Sequence, residues 1–445
     1  MSAPHQEIVE SQVDVSELAI GMHVIRLDRP WEDTNFLLQG FVIRSQSEID
    51  ALRAQCEFVV IEGRVRSAPR AKPEKNPPKA SGLKRLFSRK TAPAPAKKTA
   101  NAVPPRKRVT YINKVDAGQE MATAVIRFEE AQKTAKSIMS GLRVGRTLDL
   151  NNARTVVNSC VESVLRNENA LLLLTKIKHQ DEYTAEHCIN VSILAAAFGK
   201  HLGLLEGEIR NLALCGLLHD VGKTRIPDDI LNKPGALTPK EFDVMRQHTT
   251  HGRTILMGTS NSLNTAVDVA FSHHERMDGS GYPRALQAQQ IPYFAKIIGL
   301  VDTYDAITSN RVYDSGRASM QALDIIHKHR GTQFDEELAD AFIQMIGVYP
   351  PGSIVEMVNG EVGIVVESYP THKLRPKVLL VRDIDKRPLV RFRSIDLKAS
   401  PDDAAGAPYH IAHEVPDGTY DIVLQEFVDQ GLIVTRKPDA PSEQP

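Results

Sequence analysis

The chain of 445 residues is poor in cysteine and in aromatic side chains. Its four cysteines, Cys56, Cys160, Cys188 and Cys215, lie far apart with no paired spacing, which excludes a disulfide framework and a zinc site built on thiolates. No stretch approaches the roughly 18 uncharged apolar residues that a membrane helix needs. The best candidate, Leu171–Leu174, is hemmed by Glu168 and Lys176. The N-terminus, MSAPHQEIVE, has no basic segment running into an apolar one, so no export signal is expected and the protein is expected to be cytoplasmic. Net charge is absent as well, with 55 Lys and Arg against 55 Asp and Glu.

That zero conceals an asymmetry. Residues 64–108 hold 15 Lys and Arg, eight prolines and eight alanines against one acidic residue, Glu74, so the rest of the chain carries a net charge of −14. Such a segment buries too little apolar surface to offset its ordering entropy, and it reads as an extended linker. A solvated spacer is the plainer expectation, because no aromatic residues are interleaved for base stacking; its charge would also suit an anchor for acidic lipid, nucleic acid or a partner protein. LKRLFSRK, residues 83–90, is the one piece able to form a short amphipathic helix on a partner.

The expected fold is mainly α: a helical bundle carrying the site, a small α+β module before it and a small β-rich segment after it. We divide the chain into a module at 1–63, a basic disordered linker at 64–112, a helical domain at 113–350, and a β-meander with a loose tail at 351–445. In the first module MHVIRL, FLLQGFVI and EFVVIE suggest strands, and SEIDALRAQ suggests a helix N-capped by Ser47. From residue 113 apolar residues recur at three- and four-residue steps, which predicts long helices over 113–142 and 148–178. Further helices are expected near 184–202, 205–219, 238–257, 262–274, 292–309, 317–329 and 335–346. Tyr349-Pro350-Pro351-Gly352 ends the helical run, four strands follow with Asn359-Gly360 as a hairpin turn, and TYDIVLQ is expected to add one more strand.

Histidine carries the chemical signal: eight of the fifteen lie between His179 and His274. His219-Asp220 ends an apolar helix, and burying that pair is unfavourable unless something such as a divalent cation compensates its polarity. His273-His274-Glu275 supplies two further imidazoles in tandem, which reach one centre only if the helix ends there. Asp302 stands at the polar edge of an apolar helix. Its neighbour Asp305 reads equally as a ligand, as an acceptor orienting a ligand histidine, or as a surface residue. His248 and His251 share a helix face, and His187 lies where the next helix becomes buried. Five histidines and two aspartates without cysteine suit two ions such as Fe, Mn, Co, Ni or Zn, the usual apparatus of phosphoester hydrolysis, with Lys223 and Arg311 available to hold phosphate.

HD-x-G-K at 219–223, HHE-x-x-DGSGYP at 273–283 and VD-x-Y-DA-x-T-x-x-R at 301–311 together resemble the HD-GYP family, bacterial cyclic di-GMP phosphodiesterases within the HD-domain phosphohydrolases. The resemblance covers about residues 175–350, and residues 13–62 resemble the uncharacterised module that precedes some of these domains. It implies that His187, His219, Asp220, His248, His273, His274 and Asp302 bind two divalent ions, most simply Fe or Mn. Asp220 would bridge them, with His187, His219 and Asp302 on one ion and His248, His273 and His274 on the other. His248 is preferred to His251 by its distance from the HD pair. Lys223 and Arg311 would touch phosphate, and Gly281, Tyr282 and Pro283 would border the substrate, Tyr282 as a contact or as packing. Some relatives place a glutamate one turn before the first histidine to help hold a third ion; Tyr183 stands there, so two ions are expected. Asp314 stands where relatives often have a basic residue, which weakens one edge of the phosphate site.

The implied activity is hydrolysis of 3′,5′-cyclic di-GMP to linear pGpG, with a second cleavage to GMP left open. A catalytically weak cyclic di-GMP sensor or protein-docking module is one alternative, and an HD hydrolase of another nucleotide is a second. Protein partners would approach through the N-terminal module, the linker or the GYP loop. The helices at 113–178 serve either as homodimer contacts or as support for the core.

Overall fold

The computed structural model describes residues 8–28, 41–43, 46–64, 108–177, 183–259, 263–309, 319–369, 371–431 and 433. The chain divides into two compact units, Met1–Lys107 and Arg108–Pro445.

The first unit is an antiparallel sheet with one helix. β1 (Ile8–Asp14), β2 (His23–Leu27), β3 (Phe41–Val42) and β4 (Phe58–Arg64) pair in the order β1-β4-β2-β3, and α1 (Gln46–Gln55) supplies the helix. Val24, Leu27, Ile43, Ile49, Leu52 and Val59 form its core. The sequence missed β1, whose IVESQVD has too few apolar residues to stand out, yet it pairs with β4 along its whole length. Ser47 lies inside α1 rather than capping it, since the helix begins at Gln46. LKRLFSRK and nearly all of the linker, 65–107, lie outside the described residues.

The linker's ends are ordered where a disordered segment was expected over 64–112. Arg64 closes β4. The Val109 amide donates to the Gly203 carbonyl at 2.9 Å and the Tyr111 hydroxyl to the Leu204 carbonyl at 2.8 Å. Once the run of Lys, Arg and Pro ends, these residues have groups that dock on the helices.

The second unit is built from α2 (Ala117–Arg143), α3 (Leu150–Leu174), α4 (Tyr183–His201), α5 (Glu206–Leu218), α6 (Asp228–Leu231), α7 (Pro239–Met245), α8 (His248–Met257), α9 (Asn264–Ser272), α10 (Tyr293–Thr308), α11 (Ser319–Lys328) and α12 (Glu336–Ile346). Asp116 and Asp149 cap α2 and α3 by accepting from the amides of Gln119 and Asn152 at 2.9 and 3.0 Å, which fixes their starts. α3 is interrupted at Asn167, whose backbone is extended and whose side-chain amide donates to the Val115 carbonyl. The segment 238–257, expected as one helix, is two, α7 and α8, divided at Arg246-Gln247.

α4 is the axis of the bundle, buried along nearly its whole length. It lies close to α5: a Cβ on Gly216 would come within 2.8 Å of the Ser192 backbone, and the Ser192 hydroxyl donates to the Ala213 carbonyl at 2.8 Å. α10 packs against α4, and α12 closes behind both through Phe342, whose ring lies 5.1 Å from Phe198 and 5.2 Å from Tyr304.

Beyond α12, β5 (Ile354–Met357), β6 (Val362–Glu367), β7 (Lys377–Arg382) and β8 (Pro388–Asp396) form the expected meander. The fifth strand is a correction. β9 (Ile411–Val415) pairs with β5, whereas TYDIVLQ becomes a 3-10 turn at Thr419–Asp421 running into α13 (Leu424–Asp429). Its apolar residues sit at helical spacing, with Leu424 and Phe427 buried on one face. The sheet belongs to the same compact unit as the helices: the Ser368 amide, just after β6, donates to the Asn169 side chain of α3 at 3.1 Å. No helix among the described residues is long and apolar enough to cross a membrane.

Phe342 is fully buried behind the helices that carry the site. Phe342→Ala is expected to destabilise the second unit by about 3–5 kcal/mol, read from the midpoint of urea unfolding. A loss below about 1 kcal/mol would show that α12 does not support α4 and α10.

Candidate metal centre

The sequence-predicted residues converge because α5, α8 and α9 end or begin at one place, where α4 and α10 present residues from within their length. α5 stops at Leu218, His219 is its C-cap, and Asp220 leads into a 3-10 turn over Val221–Arg225. His248 opens α8, His273 is the C-cap of α9, and His274 follows it. His187 lies in the second turn of α4, and Asp302 faces it from α10. The tandem imidazoles reach one region because α9 ends between them and the chain turns; their rings lie 4.1 Å apart.

Four imidazoles are held in the same way. The Nδ1 positions of His219, His248 and His273 lie against helix carbonyls three or four residues back: Gly216 at 2.7 Å, Met245 at 2.7 Å, and Val269 and Ala270 at 3.2 Å. Nδ1 of His187 lies 2.8 Å from Oδ2 of Asp305. With Nδ1 as the donor, His219, His248 and His273 turn Nε2 inward, the orientation that a metal requires, while Nε2 of His187 faces Asp302. Asp305, whose role the sequence left open, is 2 % exposed and orients His187.

At the centre stands Asp220, 1 % exposed. Its Oδ2 lies 3.3 Å from Nε2 of His219 and 3.8 Å from Nε2 of His187. Its Oδ1 lies 3.4 Å from Nε2 of His248 and 3.8 Å from Nε2 of His273. The carboxylate therefore faces one set of imidazoles with each oxygen. Asp302 joins the first set, its Oδ1 lying 2.9 Å from Nε2 of His187 and 3.8 Å from Nε2 of His219. His248, His273 and His274 group on the other side, and His187, His219 and Asp302 on the first, all within coordinating reach. The ammonium of Lys223 sits 2.5 Å from Oδ2 of Asp220.

Charge follows geometry. Burial alone would raise the Asp220 carboxyl, but Lys223 and His219 hold it well below the usual carboxylate range. Burial likewise opposes ionisation of Asp302, and the hydrogen bond with His187 overrides it. Burial pushes His248, His273 and His274 down, the last to about 3, so these imidazoles are neutral at pH 7. His187 goes the other way: burial disfavours its charge, yet the hydrogen bonds with Asp302 and Asp305 raise it to about 10. A cation taken up at its Nε2 must displace that proton.

Two atoms at the heart of the cluster, Nε2 of His219 and Oδ1 of Asp220, are buried without a hydrogen-bond partner. Leaving such groups unsatisfied is costly, and coordination of a cation removes the cost. Imidazole nitrogens and carboxylate oxygens suit borderline and hard divalent ions. The residues fit a divalent-metal site.

Two glycines let the backbones that carry these imidazoles meet. A Cβ on Gly222 would fall 1.8 Å from the His248 carbonyl oxygen, and one on Gly299 would fall 2.4 Å from that of His273. The GYP loop is held by Glu275, a role the sequence did not suggest: its carboxylate accepts from the amides of Arg284 and Leu286 at 2.8 and 2.9 Å. Tyr282 precedes a cis proline, Pro283, and its ring stacks on His274 at 4.7 Å. His251, one turn past His248, joins none of the ligand clusters among the described residues. Arg311, Asp314 and the side chain of Tyr183 lie outside the described residues.

A bundle that brings these imidazoles around a shared aspartate defines a metal-dependent phosphohydrolase of the HD class. Residues 162–338 match the HD domain, 354–402 the KOW domain associated with HD domain, and 10–153 a domain of unknown function, DUF3391. That last match runs past the module read from the sequence, taking in the linker and α2. A cyclic di-GMP phosphodiesterase of Pseudomonas aeruginosa is 33 % identical over 369 residues, 82 % of this chain and 84 % of the relative. A cyclic di-GMP phosphodiesterase of Thermotoga maritima is 38 % identical over 170 residues, 38 % of this chain and 46 % of the relative. The 3′3′-cGAMP-specific phosphodiesterase 1 of Vibrio cholerae is 33 % identical over 189 residues, 42 % of this chain and 43 % of the relative. The chain thus spans less than half the length of the latter two. It belongs to the HD-GYP family of HD-domain phosphodiesterases.

Asp305→Asn keeps the shape of the His187 partner and removes its charge. It is expected to weaken metal affinity about 10–100-fold, measured by competition with a chromogenic chelator. Unchanged affinity would show that Asp305 does not orient His187.

Proposed function

We propose that the chain hydrolyses 3′,5′-cyclic di-GMP to linear pGpG, using two divalent ions, Fe or Mn. What carries this reading is the Asp220 carboxylate presenting Oδ2 to His187 and His219 and Oδ1 to His248 and His273. In it Asp220 would be shared by both ions, with His187, His219 and Asp302 holding one and His248, His273 and His274 the other. When bound, such a pair supplies a nucleophilic water at neutral pH and neutralises charge on the phosphoryl oxygens.

The protein's own residues do the rest. The helix carbonyls and Asp305 keep the imidazoles aimed, so the site is organised before substrate arrives. Lys223, next to Asp220, is placed to meet a phosphate oxygen as charge develops there. Tyr282 and Gly281 line the cavity beside His274, where the substrate would lie, with Pro283 next to them in the loop. Water adds to phosphorus, the P–O3′ bond breaks, the 3′-oxygen leaves with a proton, and the ring opens.

Guanine dinucleotides are favoured over the cyclic GMP-AMP of the Vibrio relative because the Pseudomonas cyclic di-GMP enzyme matches this chain over most of its length. Asp220→Ala is expected to abolish turnover, with wild-type protein purified without oxygen holding about two metals per chain. Nucleotide products are resolved by liquid chromatography and metals by plasma mass spectrometry. Retained turnover in the variant would overturn the bridging role. Two bound metals with no cleavage of cyclic di-GMP would overturn the substrate.

A further inference from the structure

We propose that Arg246, set beside the rings of Phe242 and Tyr282, reads a purine edge of the substrate and makes the site prefer guanine to adenine. This rests on the cyclic dinucleotide reading above.

A cavity of about 260 Å³ opens beside the metal cluster, lined among others by Phe242, Arg246, His273, His274, Gly281 and Tyr282. It shares His273 and His274 with the cluster, so a group held in it adjoins the phosphate under attack. Phe242 is 43 % exposed, a large ring with little part in the core. It meets Tyr282 edge-on at 6.0 Å, while Tyr282 is itself fixed by its stack on His274. Two rings meeting at a corner offer a nucleobase apolar faces, and such stacking tolerates any base. The rings alone would therefore not choose among nucleotides.

Arg246 supplies the choice. It lies between α7 and α8, where the break in the expected single helix falls, two residues before His248. Its guanidinium carbon sits 5.4 Å from the centre of the Phe242 ring and 5.9 Å from that of Tyr282. Its carboxylate partner among the described residues is Asp243, itself 62 % exposed, and an ion pair so open to water exchanges readily. A guanidinium only donates. The O6 and N7 of guanine both accept, whereas adenine offers N7 beside an N6 donor, so the fork pairs with guanine and leaves a donor facing a donor on adenine. A side-chain amide has the opposite preference.

The test is steady-state hydrolysis of cyclic di-GMP and of cyclic di-AMP by the metal-loaded wild type, Arg246→Gln and Arg246→Lys, with metal content measured for each. Both variants are expected to keep the wild-type metal content. Arg246→Gln should lose about 10–100-fold in kcat/KM on cyclic di-GMP without a matching loss on cyclic di-AMP. Arg246→Lys, which keeps the charge without the fork, should also lose selectivity. Parallel losses on both substrates, or full rescue by lysine, would overturn the proposal in favour of a simple phosphate cation. An active wild type with an indifferent Arg246→Gln would overturn this inference alone. A metal-loaded wild type inert on both nucleotides would overturn the substrate reading and this one with it.

Discussion

The Asp220 carboxylate sits where no solvent reaches it, with imidazoles at both oxygens and a lysine ammonium at one of them. A charge buried that deeply is tolerated only if it is compensated on every side. The neighbouring elements meet that demand: α5 ends to place the aspartate, α8 begins and α9 ends to place His248 and His273, and α4 and α10 pack so that His187 and Asp302 face it from within the helices. The front module and the terminal sheet are folded without reference to this carboxylate, while the middle of the chain is arranged around it.

The arrangement depends on backbones approaching more closely than side chains ordinarily allow. Gly222 meets the His248 carbonyl, and Gly299 meets that of His273. The helix-end carbonyls also orient the imidazoles: His219 and His273 turn Nδ1 back onto the helix that each one caps, and His248 turns it onto the last residue of α7. Helix termination and imidazole orientation are here one structural fact. A site so prepared needs little reorganisation when an ion arrives, apart from the proton held by His187 between Asp302 and Asp305.

The residues of the cluster could be named from the sequence because eight of the fifteen histidines crowd into residues 179–274 and their chemistry is restrictive. His219-Asp220 and His273-His274 are conspicuous at the ends of apolar segments, and three motifs agree in order. Helix existence was legible for the same reason, through long apolar periodicity. Other features were not legible, for physical reasons. Asp305 resembles any surface aspartate until α4 and α10 are packed together. Glu275 shows its role only once the loop folds back to offer two amides. Arg246 was hidden in an uninterrupted helical pattern, since no glycine or proline marks the break between α7 and α8. β1 was missed because a strand held by pairing along its full length needs little apolar signal, and TYDIVLQ misled because short apolar runs do not separate strand from helix.

Anomalous diffraction from crystals of the metal-loaded protein tests the central claim most directly. Two peaks about 3.5–4 Å apart, flanking the Asp220 carboxylate, with His187, His219 and Asp302 around one and His248, His273 and His274 around the other, are the predicted result. A single ion, or two ions that leave Asp220 outside the coordination of both, would contradict it.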